Sequence, residues 1–217
     1  MLKFQFAIEK SKPLKILCLG AHSDDIEIGC GGTLLRLLNE YDLADIYWVV
    51  FSANGERQKE AEHSANLFLE GASRKEIVTR NFKESFFPYI GGEIKEYFEH
   101  LKGEFKPDLV FTHYRNDLHQ DHRLISELTW NTYRDHLILE YEIIKFDGDL
   151  GNPNLFVHLD QRTCHKKVKQ ILESFKSQAT HHWFNGDVFW ALLRLRGIEC
   201  NAPSKYAEGF SCRKVQL

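Results

Sequence analysis

Apolar runs rich in β-branched residues alternate along the chain with segments whose apolar positions recur every three or four residues. The runs are typical of buried strands, and the recurring positions are typical of helices with one buried face. This alternation favours βα units around a mainly parallel sheet. The pattern predicts strands at 14–19, 44–52, 76–82, 108–112, 136–146 and 155–159, with helical faces at 34–41, 61–69, 94–105, 124–133 and 164–175 and a last helix from a cap at Asp187 to Arg196.

The length and composition predict one α/β domain spanning residues 1–217. A chain of 217 residues that is 43% hydrophobic can bury a core of its own. No repeat, low-complexity tract or linker-like composition divides it. Two smaller domains are therefore unnecessary to account for the pattern.

Charge and cysteine content exclude several classes of protein. A net charge of −3 provides no basic surface for nucleic acid or for an anionic membrane. The five cysteines form no Cys-x-x-Cys pair, so we expect reduced thiols rather than a disulfide framework. Residues 1–10 lack a continuous apolar segment, and no later stretch has the ~20 apolar residues of a spanning helix. We expect a soluble, cytoplasmic protein without stable membrane insertion.

Imidazoles and carboxylates are concentrated directly after two predicted strands. His22, Asp24 and Asp25 follow the first strand, and a second cluster lies within 113–122, after the strand at 108–112. The carboxyl edge of an open α/β sheet is where such proteins place their sites. Both side-chain types bind divalent cations and transfer protons near neutral pH. The two clusters therefore predict a metallo-hydrolase.

A hydrolytic zinc site needs three protein ligands, an open position for water and a base. His22 and Asp25 can face one ion, and Asp24 between them can reach the water. The third ligand should come from the second cluster, in which an aspartate can also orient a ring by accepting a hydrogen bond from its second nitrogen. The candidates in that cluster are His119, Asp121 and His122.

Three other interpretations compete with a catalytic metal. Polar residues on loops are usually just solvated, although here two clusters converge on one sheet edge. A structural zinc site needs fewer imidazoles and carboxylates than are present. The glycines at 29, 31 and 32 superficially resemble a dinucleotide loop, but Leu34 stands where the third glycine of that motif should be.

These residues resemble the LmbE-like, or PIG-L, family of zinc-dependent N-acetylglucosaminyl deacetylases. The segment from Ala21 to Leu34 is similar to the Ala-His-Pro-Asp-Asp opening of that family, and His119-Gln-Asp-His122 is similar to its second metal motif. Looser similarities follow in the same order along the chain, at 55–60, 177–178 and 207–210. Ser23 stands where the family usually has proline, Ile26 where an acidic residue is frequent, and Phe175 where some members have histidine.

The resemblance implies a single Rossmann-like, three-layer α/β domain with a mainly parallel sheet. It implies removal of an acetyl group from an amino-sugar-containing small molecule, such as a sugar nucleotide, glycoside or glycolipid precursor. The implied metal is Zn²⁺, with Fe²⁺ as the alternative. The implied metal ligands are His22, Asp25 and His122, and the implied general base is Asp24. His119, with Asp121 as its partner, would stabilise the oxyanion or protonate the leaving group. Arg57 would contact the substrate.

Two alternatives to this function remain at the level of the sequence. One is a different amidase on the same scaffold, which removes a larger acyl group. The other is a non-catalytic, metal-dependent sugar-binding protein, although such a protein needs neither Asp24 nor His119. The sequence also leaves open whether the chain forms a homo-oligomer.

Overall fold

A computed structural model describes residues 3, 5, 6 and 12–216. The prediction that residues 1–10 lack an apolar leader falls mostly on positions outside the described residues. Within the described part of the chain, no helix is both long enough and apolar enough to cross a membrane.

The first strand, β1 (Leu14–Gly20), is buried on both of its faces. Ile16 and Cys18 point into one apolar core, and Leu17 and Leu19 point into the other. Because successive side chains on a strand alternate between faces, a strand that is apolar on both must have a layer of structure on each side. This explains why β1 is a continuous apolar run rather than an alternating one.

The seven strands form one sheet in the order β3-β2-β1-β4-β5-β7-β6. Neighbouring strands from β3 to β5 are parallel, and β7 is antiparallel to both β5 and β6. The predicted mainly parallel sheet is confirmed. The remaining strands are β2 (Ala44–Val50), β3 (Arg74–Thr79), β4 (Leu109–His113), β5 (Leu137–Tyr141), β6 (Leu155–His158) and β7 (Ala207–Ser211).

Helices cover both faces of the sheet and complete a three-layer α/β domain. Helices α1, α2, α5 and α6 pack into the core that contains Ile16, and α3 and α4 pack into the core that contains Leu17. Their bounds are α1 (Asp25–Glu40), α2 (Gly55–Phe68), α3 (Gly91–Glu104), α4 (Gln120–Thr132), α5 (Gln161–Ser174) and α6 (Gly186–Glu199), with short 3₁₀ turns at Phe87–Ile90 and Lys176–Gln178.

Several element boundaries differ from those that the sequence pattern predicts. Helix α4 begins at Gln120, four residues earlier than its apolar face, so His122 lies on a helix. Asn185 caps α6 by accepting a hydrogen bond from the Val188 N–H, and the predicted cap at Asp187 is wrong. The sequence pattern does not predict β7, because Ala-Glu-Gly-Phe-Ser has little β-propensity.

The order of the strands places a crevice between β1 and β4. The chain proceeds from β1 outward through β2 to β3, then returns to add β4 on the other side of β1. Ligands of open α/β sheets bind at such a reversal, outside the carboxyl ends of the strands. Both polar clusters follow these two strands, so the fold brings them together.

Candidate metal centre and active site

His22, Asp25 and His122 bring three donor groups close together. His22 Nδ1 lies 3.1 Å from His122 Nε2 and 3.5 Å from Asp25 Oδ2. His122 Nε2 lies 3.5 Å from Asp25 Oδ1. A tetrahedral ion with bonds of about 2.0–2.1 Å holds its ligand atoms about 3.4 Å apart. The spacing and chemistry of this donor set therefore fit a divalent metal, and all three side chains are buried.

Neighbouring imidazoles give the site two further donor combinations. His22, His119 and His122 form one group whose ligand atoms lie within 4.8 Å of one another, and Asp25, His113 and His122 form another. His122 is common to both groups. The region can therefore hold an ion, while the assignment of the individual ligands stays a prediction.

Carboxylates favour a cation beside His22, whereas the surroundings of His122 keep that ring neutral, as a metal ligand must be. Burial by itself lowers the pKa of His22. The charge of Asp25 and the hydrogen bond with Asp121 outweigh this effect and raise that pKa to about 10. Burial and the neighbouring His113 lower the pKa of His122 to about 3. The same negative surroundings that favour a proton on His22 also favour a metal ion beside it.

Asp24 is the residue directly before α1, where its side chain makes no capping hydrogen bond, and it is buried beside this donor set. Among the described residues, none reaches its Oδ2 with a hydrogen bond. Burial and the negative charge of Asp25 raise the pKa of Asp24 to about 6. A buried carboxylate oxygen without a donor is costly in a structural role, so it is available to a bound molecule.

The ring of His122 is held by a carboxylate on its far side. Its Nδ1 lies 2.9 Å from Asp117 Oδ2, which leaves Nε2 facing His22 and Asp25. Lys145 Nζ is 3.0 Å from the same Asp117 oxygen. Burial by itself raises the pKa of Asp117. The hydrogen bond with His122 and nearby positive charges outweigh this effect and hold that pKa below its usual range. Such a carboxylate fixes both the orientation and the tautomer of a ligating histidine.

Asp121 contacts His22 rather than its expected partner, His119. Its Oδ2 is 3.1 Å from His22 Nε2, and its two oxygens accept the N–H groups of Ser85 and Phe87 at 2.6 and 3.1 Å. His119 instead caps α4, where its Nδ1 accepts the Asp121 backbone N–H at 3.2 Å. The expected pairing fails because side chains two residues apart at a helix start do not face each other.

His119 stands at the partly exposed side of the site. Its ring centre lies 4.9 Å from that of His22 and 4.6 Å from that of His122. Because Nδ1 accepts a backbone N–H, the proton of the neutral ring is on Nε2. Burial and the nearby His22 lower the pKa of His119, which favours this neutral donor form.

Sequence reasoning missed His113, the last residue of β4. It is fully buried, and its ring stacks on His122 with centres 3.9 Å apart. Its Nε2 accepts the Ala21 N–H at 3.0 Å and lies 3.2 Å from Asp25 Oδ2. His113 thus links both polar segments. Its place at the head of the second cluster was the available signal, but a histidine inside an apolar strand is usually a core residue.

Arg57, the predicted substrate contact, lies in the first turn of α2. Its Nη1 donates to Glu84 Oε2 at 2.8 Å, and its charge lowers the pKa of Asp24 against the effect of burial. The side chain is therefore close enough to Asp24 to influence it electrostatically. Contact with a substrate stays a prediction.

The profile of the PIG-L family, described as GlcNAc-PI de-N-acetylase, matches residues 17–133. This segment is more than half of the chain and contains both clusters. The chain belongs to the PIG-L family. The family resemblance inferred from the motifs is confirmed.

Solved structures share the fold of this PIG-L chain across nearly its whole length. The conserved protein TT1542 from Thermus thermophilus is 21% identical, with a TM-score of 0.74 and coverage of 94% of this chain and 96% of that one. The N,N'-diacetylchitobiose deacetylase from Pyrococcus horikoshii is 20% identical, with a TM-score of 0.69 and coverage of 94% and 85%.

The same fold also occurs in a protein named for a different reaction. GalB, the 4-carboxy-2-hydroxymuconate hydratase from Pseudomonas putida, is 17% identical, with a TM-score of 0.66 and coverage of 94% of this chain and 97% of that one. At this level of identity the likeness establishes the fold and not the reaction. The reaction of this PIG-L chain depends on the residues of its own site.

A buried ion pair supports the helix that begins at the site. Lys167 Nζ lies 2.5 Å from Glu208 Oε1 and donates to the Ile28 carbonyl of α1 at 2.7 Å. The Glu208 carboxylate accepts the N–H groups of Gly32 and Thr33 at 2.8 and 2.6 Å. A Cβ atom on Gly32 would lie 2.8 Å from Glu208 Oε1, so glycine permits this approach. The pair thus fixes α1 just beyond Asp24 and Asp25.

Replacement of one partner should be far more harmful than replacement of both. Lys167→Met leaves the Glu208 charge buried, and we expect the free energy of unfolding to fall by about 3–5 kcal/mol. Lys167→Met combined with Glu208→Gln should recover part of that loss. Lys169→Met, at an exposed position of the same helix, should change stability by less than about 0.5 kcal/mol. Urea denaturation measures all three. Equal losses for Lys167→Met and Lys169→Met would contradict the assigned importance of the pair.

Proposed function

We propose that this chain is a Zn²⁺-dependent hydrolase that removes the N-acetyl group from an amino-sugar-containing small molecule and releases acetate. The observation that carries the proposal is the donor set of His22, Asp25 and His122, spaced at 3.1–3.5 Å, next to the buried, unpartnered carboxylate oxygen of Asp24. Membership of the PIG-L family supports the substrate class.

The residues of the site divide the work of amide hydrolysis between them. His22, Asp25 and His122 would hold Zn²⁺, which polarises a carbonyl and lowers the pKa of water when bound. Fe²⁺ is the alternative ion for the same ligands. Asp117 keeps the His122 ring in place, and Asp121 does the same for His22.

Asp24 transfers a proton in this reaction, and His119 donates a hydrogen bond. Asp24 accepts a proton from the attacking water, because its free Oδ2 faces no competing donor in the described structure. His119 donates a hydrogen bond from Nε2 to the acetyl oxygen, where negative charge develops. As the C–N bond breaks, Asp24 gives the proton taken from water to the departing amine. Water and amide are thereby converted to acetate and a free amine.

A combined metal and acetate assay tests this proposal. The purified chain should contain one zinc per chain and release acetate from N-acetylglucosamine conjugates. Removal of the ion by a chelator should abolish release, and added Zn²⁺ should restore it. A chain without metal, whose activity chelators do not change, would contradict the mechanism. Release of a larger acyl group but not of acetate would favour the other amidase, and binding without turnover would favour the sugar-binding protein.

A further inference from the structure

Exposed apolar side chains are concentrated around the candidate active site. Within the described part of the chain, nine large apolar side chains are exposed, and five of them lie on three segments next to the site. An isolated exposed apolar residue needs no explanation, but a group around a pocket marks a binding surface. The five are Phe86, Tyr89, Leu118, Phe146 and Leu150, and we refer to them as the apolar rim.

Each segment of the rim is joined to the site by its own backbone or by a neighbouring residue. Phe86 lies between the two residues whose N–H groups donate to Asp121. Leu118 separates Asp117 from His119, and its N–H donates to Asp149 at 2.7 Å. Phe146 follows Lys145, which contacts Asp117. The backbone of these segments is therefore anchored to the site before any ligand binds, which reduces the entropic cost of ordering the segments on binding.

The most exposed members of the rim contribute little to the apolar core. Tyr89 is 81% exposed, Phe146 is 76% exposed and Leu118 is 56% exposed. Side chains at such exposure add little to the core, and polar residues would serve equally well there. Their apolar character is explained if a ligand covers them.

Four cations on or near the rim segments already have partners within the chain, which disfavours a phosphorylated ligand at those positions. Arg57 pairs with a glutamate, and Lys145 lies within 4.0 Å of carboxylates from three aspartates. Arg123 donates to two backbone carbonyls, and the Lys83 ammonium lies 3.7 Å from the ring centre of Phe86. A diphosphate would compete with the carboxylates for Arg57 and Lys145, whereas an uncharged apolar group leaves these ion pairs intact.

We propose that the apolar rim binds an uncharged, apolar aglycone attached to the amino sugar. The inference rests on the proposed function, because it assumes that the sugar occupies the site. It selects apolar glycosides among the substrate candidates and disfavours sugar nucleotides. A second copy of the chain seated on the same segments would cover the approach to His119, whereas an aglycone lies beside the sugar.

Calorimetric binding of three N-acetylglucosamine derivatives tests the rim. The probes are the hexyl glycoside, the methyl glycoside and the uridine diphosphate sugar. We expect the chain to bind the hexyl glycoside about tenfold more tightly than the methyl glycoside, since burial of about two methylene groups accounts for that factor. The sugar nucleotide should bind no better than the methyl glycoside.

Two variants test whether the preference for the hexyl glycoside comes from the apolar rim. Tyr89→Ser combined with Phe146→Ser should reduce the ratio of hexyl to methyl affinity towards one. Ile198→Ser removes an exposed apolar residue on α6 instead and should leave the ratio at its wild-type value. Equal affinity for the two glycosides, tighter binding of the sugar nucleotide, or an equal effect of Ile198→Ser would overturn the inference. So would a dimer in size-exclusion chromatography that the double variant abolishes, because the rim would then be a self-interface.

Acetate release from the same probes separates the two proposals. Acetate release without a hexyl preference in binding would overturn the rim and leave the deacetylase proposal standing. A hexyl preference in binding without acetate from any probe would contradict the deacetylase proposal and leave the rim as a binding site.

Discussion

Asp24→Asn should leave the metal content of the chain unchanged and reduce turnover by about 10²–10⁴, the usual contribution of a positioned general base. Asparagine has the same shape as aspartate, and the Asp24 side chain makes no capping hydrogen bond to α1, so the positions of His22 and Asp25 should persist. It cannot accept a proton at neutral pH. Elemental analysis measures the metal, and steady-state acetate release measures turnover.

Ser23→Ala is a matched control for this substitution. Ser23 is buried next to Asp24, and its hydroxyl has no hydrogen-bond partner among the described residues. Its removal should change turnover by less than about threefold, which corresponds to less than about 1 kcal/mol of transition-state stabilisation. Near-wild-type turnover in Asp24→Asn would show that the base has been assigned to the wrong residue.

His22→Ala should abolish stoichiometric metal binding, since it removes one of three predicted ligands. A ligand present at 1,000 times its dissociation constant stabilises a protein by about 4 kcal/mol. We therefore expect saturating Zn²⁺ to raise the melting temperature of the wild type and to leave that of His22→Ala unchanged. Differential scanning fluorimetry with and without Zn²⁺, together with elemental analysis, measures the loss independently of catalysis.

His119→Ala distinguishes the predicted ligand set from the alternative combination of His22, His119 and His122. If His119 acts only on the substrate, this variant keeps its metal and its Zn²⁺-dependent rise in melting temperature, while its turnover falls. Loss of metal in His119→Ala, with normal metal in Asp25→Asn, would make His119 the third ligand in place of Asp25.

The fold by itself does not determine which reaction this chain catalyses. One similar fold belongs to a protein named a deacetylase and another to a protein named a hydratase. Both reactions use water, and a base beside a cation can serve either. The choice between them depends on what the pocket admits next to Asp24 and His119. The acetate assay therefore has to precede any finer assignment of substrate.

The sequence alone determined the α/β fold class and the two places where chemistry is concentrated. Parallel strands covered on both faces must be continuous apolar runs, which is why the strands that became β1 and β4 were evident. Imidazoles and carboxylates directly after both runs indicated a metal site, because neighbouring parallel strands end at one edge. These features are local in the chain, or follow from periodicity alone.

Only the tertiary structure decided which groups meet. Asp121 contacts His22, which is 99 residues away, and the buried partner of Lys167 lies on a strand that its own sequence does not predict. His113 resembles a core residue until the fold stacks it on His122. Such contacts depend on side-chain direction at the start of a helix and on packing between distant segments. Neither is encoded in spacing along the chain, so they become visible only when the sheet has assembled.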